Sequence, residues 1–253
     1  MKRKLTAERR NELAQILLSE GSIKVGEIAK QFDVSTETIR KDIIYLEKEK
    51  IAIKSHGGAI IASNMLERPV ELKKTDNTGY KTQIALKALS FIPKNATIIL
   101  DAGSTNYALA KLLSLEKGLT IFTNSVLALN VLTPSDNQVF VFGGMTRASS
   151  YGIIGKWSNE EIQSIRADIS FIGTDGFQDL HGPATASYEE AEFKKNIVRA
   201  SDKVFILSDS SKFHNRTLFE FCKWEDVDVL ITDQNAPEED VRLLKDFTNV
   251  IIA

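Results

Sequence analysis

Three short segments near the N-terminus carry apolar side chains at helical spacing. Residues 6–18 place aliphatic side chains among charged ones, and Gly21 ends the segment. In residues 24–32 the apolar positions fall at i, i+3, i+4 and i+7. The third segment begins after Ser35, a good N-cap. The predicted buried positions of these helices are Leu13, Ile16, Leu17, Leu18, Val25, Ile28, Ala29, Phe32, Ile39, Ile43 and Leu46.

The pattern changes after the third helix. Two short β-type runs meet at His56, Gly57 and Gly58, which predicts a hairpin with a glycine turn. Residues 61–80 are polar and weakly patterned, so we expect a linker containing at most one helical turn. The chain therefore begins with a small domain over residues 1–60.

Residues 81–253 alternate apolar runs with helical segments. The runs are TIILD, LTIFT, QVFVFGG, DISFIG, VFILSD, DVLIT and NVIIA, and the helices lie near 81–92, 104–115, 125–132, 158–165, 187–201 and 237–247. Strands that are apolar throughout are typical of a parallel sheet covered on both faces. We predict the α/β class, with a mostly parallel α/β domain after the small N-terminal domain.

The order of helices predicts a DNA-binding head. Two helices, a three-residue turn and a third helix form a helix-turn-helix, whose last helix enters the major groove. Arg40 suits a bidentate pair with guanine, and Lys41 and Lys48 suit phosphates. Each charged residue alone also fits a solvated helix face, but the cap, turn, apolar face and hairpin occur together. We expect DNA contacts from Ser35, Thr36, Thr38, Arg40, Lys41, Lys48, Lys54 and His56, the last two on the hairpin as a wing.

The charge distribution agrees with that reading. Residues 1–60 hold 12 basic and 9 acidic residues, a balance of +3, whereas the remainder holds 20 and 25, a balance of −5. A basic end on an acidic body is compatible with a nucleic-acid-binding head.

Five polar stretches follow apolar strands: DAGST, TNS, GG, GTDG and SDSSK. Ligands of open parallel sheets bind beyond the carboxyl ends of the strands, where these loops meet. Ser104 and Thr105 offer hydroxyls and helix N-terminal amides to an anion. Lys212 offers a positive charge, and Asp101 and Asp175 offer acceptors to sugar hydroxyls. The set suits a small polyhydroxylated phosphate ester, although each stretch alone also fits a structural turn.

The stretch VSTETIRKDIIYLE followed by HGGA resembles the signature of the DeoR family of bacterial transcriptional regulators. The resemblance implies a winged helix-turn-helix and a C-terminal domain that senses sugar phosphates and is similar in fold to ribose-5-phosphate isomerase. Lys41 departs from the family, which commonly has a second arginine there. The stretches DAGST, TNS, GG and DSSKF match the family's recurrent segments and imply effector contacts from Asp101, Gly103, Ser104, Thr105, Thr123, Asn124, Ser125, Gly144 and Lys212.

Other site chemistries lack a signal in the sequence. The only cysteine, Cys222, excludes an intrachain disulfide, and the three histidines lack metal-ligand spacing. Neither G-x-G-x-x-G nor the P-loop motif occurs, and no apolar stretch has the length of a membrane span. We therefore expect a cytoplasmic protein with no catalytic residue, no metal and no cofactor.

These observations predict a repressor of a carbohydrate operon that a phosphorylated sugar releases from operator DNA. We also expect a homo-oligomer, a dimer or higher, because a head of this size has few phosphate contacts. Two alternatives remain open at this point: an isomerase-like enzyme that carries a DNA-binding head, and an activator or a regulator without a small-molecule ligand.

Overall fold

The computed structural model describes residues 6–48, 52–55, 57–61, 69–177 and 181–253. The chain divides into two compact units, Met1–Arg68 and Pro69–Ala253. The predicted His56 lies outside the described residues, so its role on the wing stays a prediction.

The first unit contains the three predicted helices and the predicted hairpin. Its elements are α1 (Thr6–Glu20), β1 (Ser22–Lys24), α2 (Val25–Phe32), α3 (Thr36–Lys48), β2 (Ala52–Ser55) and β3 (Gly58–Ile61). The strands form an antiparallel sheet in the order β1-β3-β2. Strand β1 was not predicted, because three residues are too few to show a period. The helix-turn-helix with a sheet beside it is confirmed.

Gly58 is required by the close approach of β1 and β3. A Cβ at this position would lie 2.0 Å from the carbonyl oxygen of Ile23. Only glycine lets the two backbones pair at this distance, which explains the second glycine of the hairpin.

The core of the first unit uses the predicted helix faces. Leu13, Leu17, Val25, Ile28, Ala29, Ile39, Ile43 and Leu46 are buried, and Ile16 and Phe32 pack at the margin. In addition, the buried carboxylate of Asp42 holds α1 against α3. Its Oδ2 accepts a 2.6 Å hydrogen bond from Arg9 Nε, and its Oδ1 accepts a 2.9 Å bond from Arg10 Nε.

The second unit contains the following helices: α4 (Val70–Thr75), α5 (Thr78–Leu89), α6 (Ser104–Leu113), α7 (Val126–Leu132), α8 (Lys156–Glu161), α9 (Tyr188–Arg199) and α10 (Glu238–Leu244). Its strands are β4 (Thr97–Leu100), β5 (Thr120–Thr123), β6 (Gln138–Val141), β7 (Met145–Thr146), β8 (Ile153–Ile154), β9 (Ile169–Gly173), β10 (Ala184–Thr185), β11 (Val204–Leu207), β12 (Phe219–Glu220), β13 (Val229–Thr232) and β14 (Asn249–Ile252). Within the described ranges, no helix is long and apolar enough to cross a membrane.

Seven strands form one parallel sheet in the order β14-β13-β11-β9-β4-β5-β6. These are the seven predicted apolar runs, so the predicted α/β class is confirmed. Apolar clusters cover the sheet on both faces, and every residue of β11 and β13 is buried. Burial on both faces explains why the runs are continuously apolar rather than alternating.

The structure differs from the expected linker over residues 61–80. Residues 69–80 belong to the second unit, where they form α4 and the start of α5. Val70 is buried, and its N–H donates a 2.7 Å hydrogen bond to the carbonyl oxygen of Ser149. The polar composition of this segment gave no apolar pattern from which the helix could be predicted. Its lysines form ion pairs within the protein instead of facing water.

Asp42→Ala is expected to destabilise the first unit by about 3–5 kcal/mol, because the buried Arg9 would lose the carboxylate that neutralises it. The measurement is hydrogen–deuterium exchange of peptides from α3 in the full-length protein. We expect Asp42→Ala to remove most of the protection of these amides.

Glu37→Ala provides the matched control on the same helix. Glu37 pairs with Arg40 at 3.5 Å while both side chains are more than 60% exposed, so its loss should change the stability by about 0.5 kcal/mol or less. Equal protection in Asp42→Ala and the wild type would contradict a stabilising role for the Asp42 pairs.

Candidate nucleic-acid interface and effector site

The helix-turn-helix turn has the predicted length of three residues. Helix α2 ends at Phe32, and its C-cap residue Asp33 adopts a left-handed conformation with φ 52°. The Ser35 side chain then caps α3, because its Oγ accepts a 3.2 Å hydrogen bond from the Thr38 N–H. This cap fixes the orientation in which α3 leaves the turn.

The predicted DNA contacts on α3 share its exposed face. Thr36, Arg40, Lys41 and Lys48 are exposed, as is Ser35 before the helix, whereas Thr38 is half-buried. On the hairpin, Lys54 Nζ pairs with Glu47 at 2.8 Å, which ties the wing to α3. Apart from Thr38, the predicted residues of α3 are thus exposed, Arg40 and Lys54 line the same recess, and contact with DNA stays a prediction.

In the second unit, the strand order reverses between β4 and β9. From β4 the chain proceeds through α6 and α7 to β5 and β6 on one side, and from β9 to β11, β13 and β14 on the other. A ligand crevice is expected beyond the carboxyl ends of strands at such a switch point. Asp101 and Gly173 lie there, at the ends of β4 and β9.

Lys194 of α9 joins the two strands at this point. Its buried Nζ donates to Asp101 Oδ2 and, at 2.9 Å, to the carbonyl oxygen of Gly173. The Gly173 N–H also donates to Asp101 Oδ2, at 3.1 Å. We expected Asp101 to accept hydrogen bonds from sugar hydroxyls, but the structure buries it and uses Oδ2 for internal bonds. Asp101 thus joins the ends of β4 and β9 to α9, and any effector contact by it stays a prediction.

Asp175 is likewise surrounded by donors from the protein itself. Lys73 of α4 donates to its Oδ1 at 2.7 Å. Its Oδ2 accepts bonds from Thr185 Oγ1 at 2.9 Å and from the Ala186 N–H at 3.2 Å. Thr185 lies within hydrogen-bond distance of Glu190 as well, whose carboxylate forms an ion pair with Arg147. A continuous charged network therefore borders the crevice.

A second group of lysines surrounds Asp209, beyond the carboxyl end of β11. Lys81 Nζ lies 3.9 Å from Asp209 Oδ2 and donates to the carbonyl oxygens of Lys73 and Asp76. The charge of Lys212 interacts with both Asp209 and Lys81. We name Lys73, Lys81 and Lys212 the lysine cluster.

The environment changes the pKa values of this cluster and its partners. Burial lowers the pKa of Lys81 to about 8, assisted by the like charges of Lys212 and Lys73 and opposed by Asp209. Burial would raise the pKa of Asp209, but Lys212, Ser211 and Lys81 outweigh it and lower that pKa. Lysines likewise hold the pKa of the half-buried Asp175 well below its usual range. The carboxylates remain ionised while Lys81 keeps its proton only weakly, so an added anion would favour the protonated lysine.

The start of α6 presents the anion-binding geometry predicted for DAGST. Gly103 is its N-cap and has no side chain to cap the first amides. The space where its Cβ would lie is open, with no atom within 4 Å. Ser104 and Thr105 form the first turn, so their N–H groups point out of the helix start.

The TNS stretch is built into the loop rather than directed outward. Thr123 Oγ1 donates to the Leu100 carbonyl at 2.7 Å, Asn124 Oδ1 accepts from the Ala102 N–H at 2.8 Å, and Ser125 caps α7. Gly144 has φ 150°, and a Cβ there would lie 2.4 Å from the Ile154 carbonyl oxygen. The structure accounts for these four residues by local packing, and their predicted effector contacts remain untested.

Sequence reasoning missed Lys73, Lys81, Arg147, Glu190 and Lys194. A signal existed for two of them. Lys81 shares a helix face with the buried residues of α5, and Lys194 lies between the buried Phe193 and Ile197 of α9. A lysine on the apolar face of a helix predicts a buried charge with a partner.

Cys222 is half-buried, and burial together with Asp226 and Glu220 raises the pKa of its thiol, which keeps it protonated.

Both units match known protein families. Residues 9–65 match the DeoR-like helix-turn-helix domain, and residues 76–234, more than half of the chain, match the DeoR C terminal sensor domain. Among solved structures, ribose 5-phosphate isomerase A from Methanocaldococcus jannaschii matches with a TM-score of 0.40 and 16% identity, over 56% of each chain.

Three relatives align over nearly the whole chain. An uncharacterized HTH-type transcriptional regulator of Bacillus subtilis (strain 168) is 32% identical over 244 residues, covering 96% of this chain and 94% of the relative. The glycerol-3-phosphate regulon repressor of Escherichia coli (strain K12) is 29% identical over 240 residues, covering 94% and 95%. The HTH-type transcriptional regulator GolR of Listeria innocua is 31% identical over 233 residues, covering 89% and 90%. With its helix-turn-helix unit and its sensor domain, the chain belongs to the DeoR family of transcriptional regulators.

Proposed function

We propose that the protein is a repressor of a carbohydrate operon and that a phosphorylated sugar, bound at the strand ends of the second unit, releases it from operator DNA. The observation that carries the proposal is the position of the lysine cluster. It lies at the same edge of the sheet as the start of α6, whose N-cap is a glycine with open space beside it. Lysines and helix N-terminal amides together are the chemistry that binds a phosphate.

The name of one relative supports the chemical class. The Escherichia coli protein is named as a repressor of a glycerol-3-phosphate regulon, which is a regulon of a small phosphate ester. The chain aligns with that repressor over both units. A related repressor role with a related class of metabolite is therefore the simplest proposal.

Release from DNA follows from linkage. An effector lowers operator affinity only if it binds the DNA-free arrangement better than the DNA-bound one. Such couplings amount to about 1–3 kcal/mol, which is roughly 5–150-fold in affinity. We further propose a dimer or larger oligomer, because two heads would read half-sites about one helical turn apart, or a multiple of that.

Arg40→Ala is expected to reduce the preference for operator over unrelated DNA by roughly 5–150-fold. Arg40 lies on the exposed face of α3, and a bidentate pair with guanine contributes about 1–3 kcal/mol of discrimination. The measurement is fluorescence anisotropy with the operator and with a scrambled duplex at one fixed salt concentration.

Lys41→Ala is the matched control for Arg40. A phosphate contact carries no sequence information, so this variant should weaken binding to both duplexes equally and reduce the salt dependence. If Arg40→Ala keeps the wild-type preference, Arg40 does not read a base.

Lys212→Ala is expected to keep operator affinity and to lose most of its response to the effector, because the phosphate would lose a positive charge. The measurement is a gel-shift titration with a panel of pentose and hexose phosphates, with the unphosphorylated sugars as controls. Lys203→Ala is the matched variant, because the exposed Lys203 precedes β11 and lies at the opposite edge of the sheet.

Two outcomes of that titration would contradict the proposal. Release of Lys212→Ala at the wild-type effector concentration would exclude Lys212 from the phosphate site. Operator binding that no sugar phosphate changes would exclude effector control, and turnover of any sugar phosphate would favour the enzyme alternative.

Effector affinity is expected to be highest between about pH 6 and pH 8. Below about pH 6 the phosphate monoester loses its second negative charge. Above pH 8 the free protein loses the Lys81 proton, since the pKa of Lys81 is lowered to about 8. Binding must then restore the proton, so the Kd should rise by up to about tenfold per pH unit.

Isothermal titration calorimetry in buffers of different ionisation enthalpy measures both the Kd and the proton uptake. Lys81→Met should lose the alkaline dependence and the uptake. Lys87→Met, at an exposed position of the same helix, should keep both. An affinity that stays constant from pH 7 to pH 10 would show that Lys81 does not sense the phosphate.

A further inference from the structure

Ile44 lies at the centre of the exposed face of α3. At 100° per residue, Glu37, Arg40, Lys41 and Lys48 fall on either side of it, and the core residues of α3 lie on the opposite side of the helix. The Ile44 side chain is 50% exposed. A β-branched apolar residue thus occupies the middle of the surface that the proposed function presents to the major groove.

The fold of the first unit does not account for this exposure. The neighbouring exposed aromatic residue, Tyr45, packs under the Arg10 guanidinium, 4.0 Å from the ring centroid. Ile44 instead borders a recess of about 240 Å³ between α3 and the hairpin. Arg40 and Lys54 line the same recess. The apolar side chain is therefore placed among cations that suit DNA.

Resting on the proposed function, we propose that Ile44 contacts the 5-methyl group of a thymine and makes the operator specific for that base. Thymine is the only base whose major-groove edge presents a methyl group. Ile44 lies one helical turn after Arg40, about 6 Å along the axis, while base pairs are spaced about 3.4 Å apart. The thymine should therefore lie within about two base pairs of the guanine that Arg40 reads.

The expected discrimination is small but measurable. Burying one methyl-sized group against an apolar side chain corresponds to about three- to five-fold in affinity. Deoxyuridine pairs like thymidine but lacks the methyl group, so replacing one thymine by uracil isolates this contact.

The test uses the full-length protein and a duplex selected by the wild type from a random pool. Each thymine in turn is replaced by uracil, and the Kd is measured by fluorescence anisotropy at fixed salt. We expect the wild type to lose about three- to five-fold at one or two positions near the selected guanine. Ile44→Ala should bind the thymine and uracil duplexes equally at those positions.

Ile53→Ala is the matched control. Ile53 is an isoleucine of nearly equal exposure, 48%, on the hairpin of the same unit, and this variant should keep the wild-type ratio of thymine to uracil affinity. Unchanged unfolding temperatures establish that both variants are folded.

The outcomes separate this inference from the proposed function. If the wild type selects no DNA sequence, the proposed function itself fails. If it selects a sequence but Ile44→Ala keeps the thymine preference, the Ile44 contact is wrong. If Ile44→Ala leaves DNA binding unchanged and dissociates the oligomer in sedimentation velocity, Ile44 contacts a second copy of the chain, which also overturns the inference.

Discussion

The buried ion pair between Lys194 and Asp101 is the interaction on which the arrangement of the strand ends in the second unit depends. It joins α9 to the ends of β4 and β9, the two strands between which the strand order reverses. Both partners are buried, so losing either would leave an uncompensated charge in the interior. Burial alone would lower the pKa of Lys194. The negative charges of nearby carboxylates, mainly Asp101 and Glu190, have the larger effect and raise this pKa, which keeps the lysine protonated. The pair thereby fixes the position of Gly173 and the turn that leads into α6.

The other charges of the second unit are balanced in a different way. The carboxylates of Asp175 and Asp209 accept hydrogen bonds from donors within the protein, while Lys81 Nζ lies 3.9 Å from Asp209 Oδ2. Asp101 and Asp175 are thus paired with lysines at short distance, whereas Lys81 of the lysine cluster has a more distant carboxylate partner. This difference is the reason for assigning the proposed anion site to the cluster rather than to the Lys194 pair.

The sequence predicted the architecture well because strands that are buried on both faces of a sheet form continuous apolar runs. All seven strands of the main sheet were visible as apolar runs, and the third helix was visible from its cap and its apolar face. The contacts among the residues of the candidate site were not predicted. The loops were located correctly, but Asp101 proved to be an internal partner, and Lys73, Lys81 and Lys194 were not foreseen. Their roles depend on pairs far apart in sequence, such as Lys73 with Asp175, and one sequence shows no such pairing.

Helix α4 begins directly after the boundary between the two units and carries a lysine that is paired with a carboxylate of the second unit. Lys73 lies five residues after Arg68, the last residue of the first unit, and it is bonded directly to Asp175 at the crevice. The ion pair with Asp175 therefore anchors the first helix of the second unit, so a change of charge at Asp175 would act on α4 before any other helix of that unit.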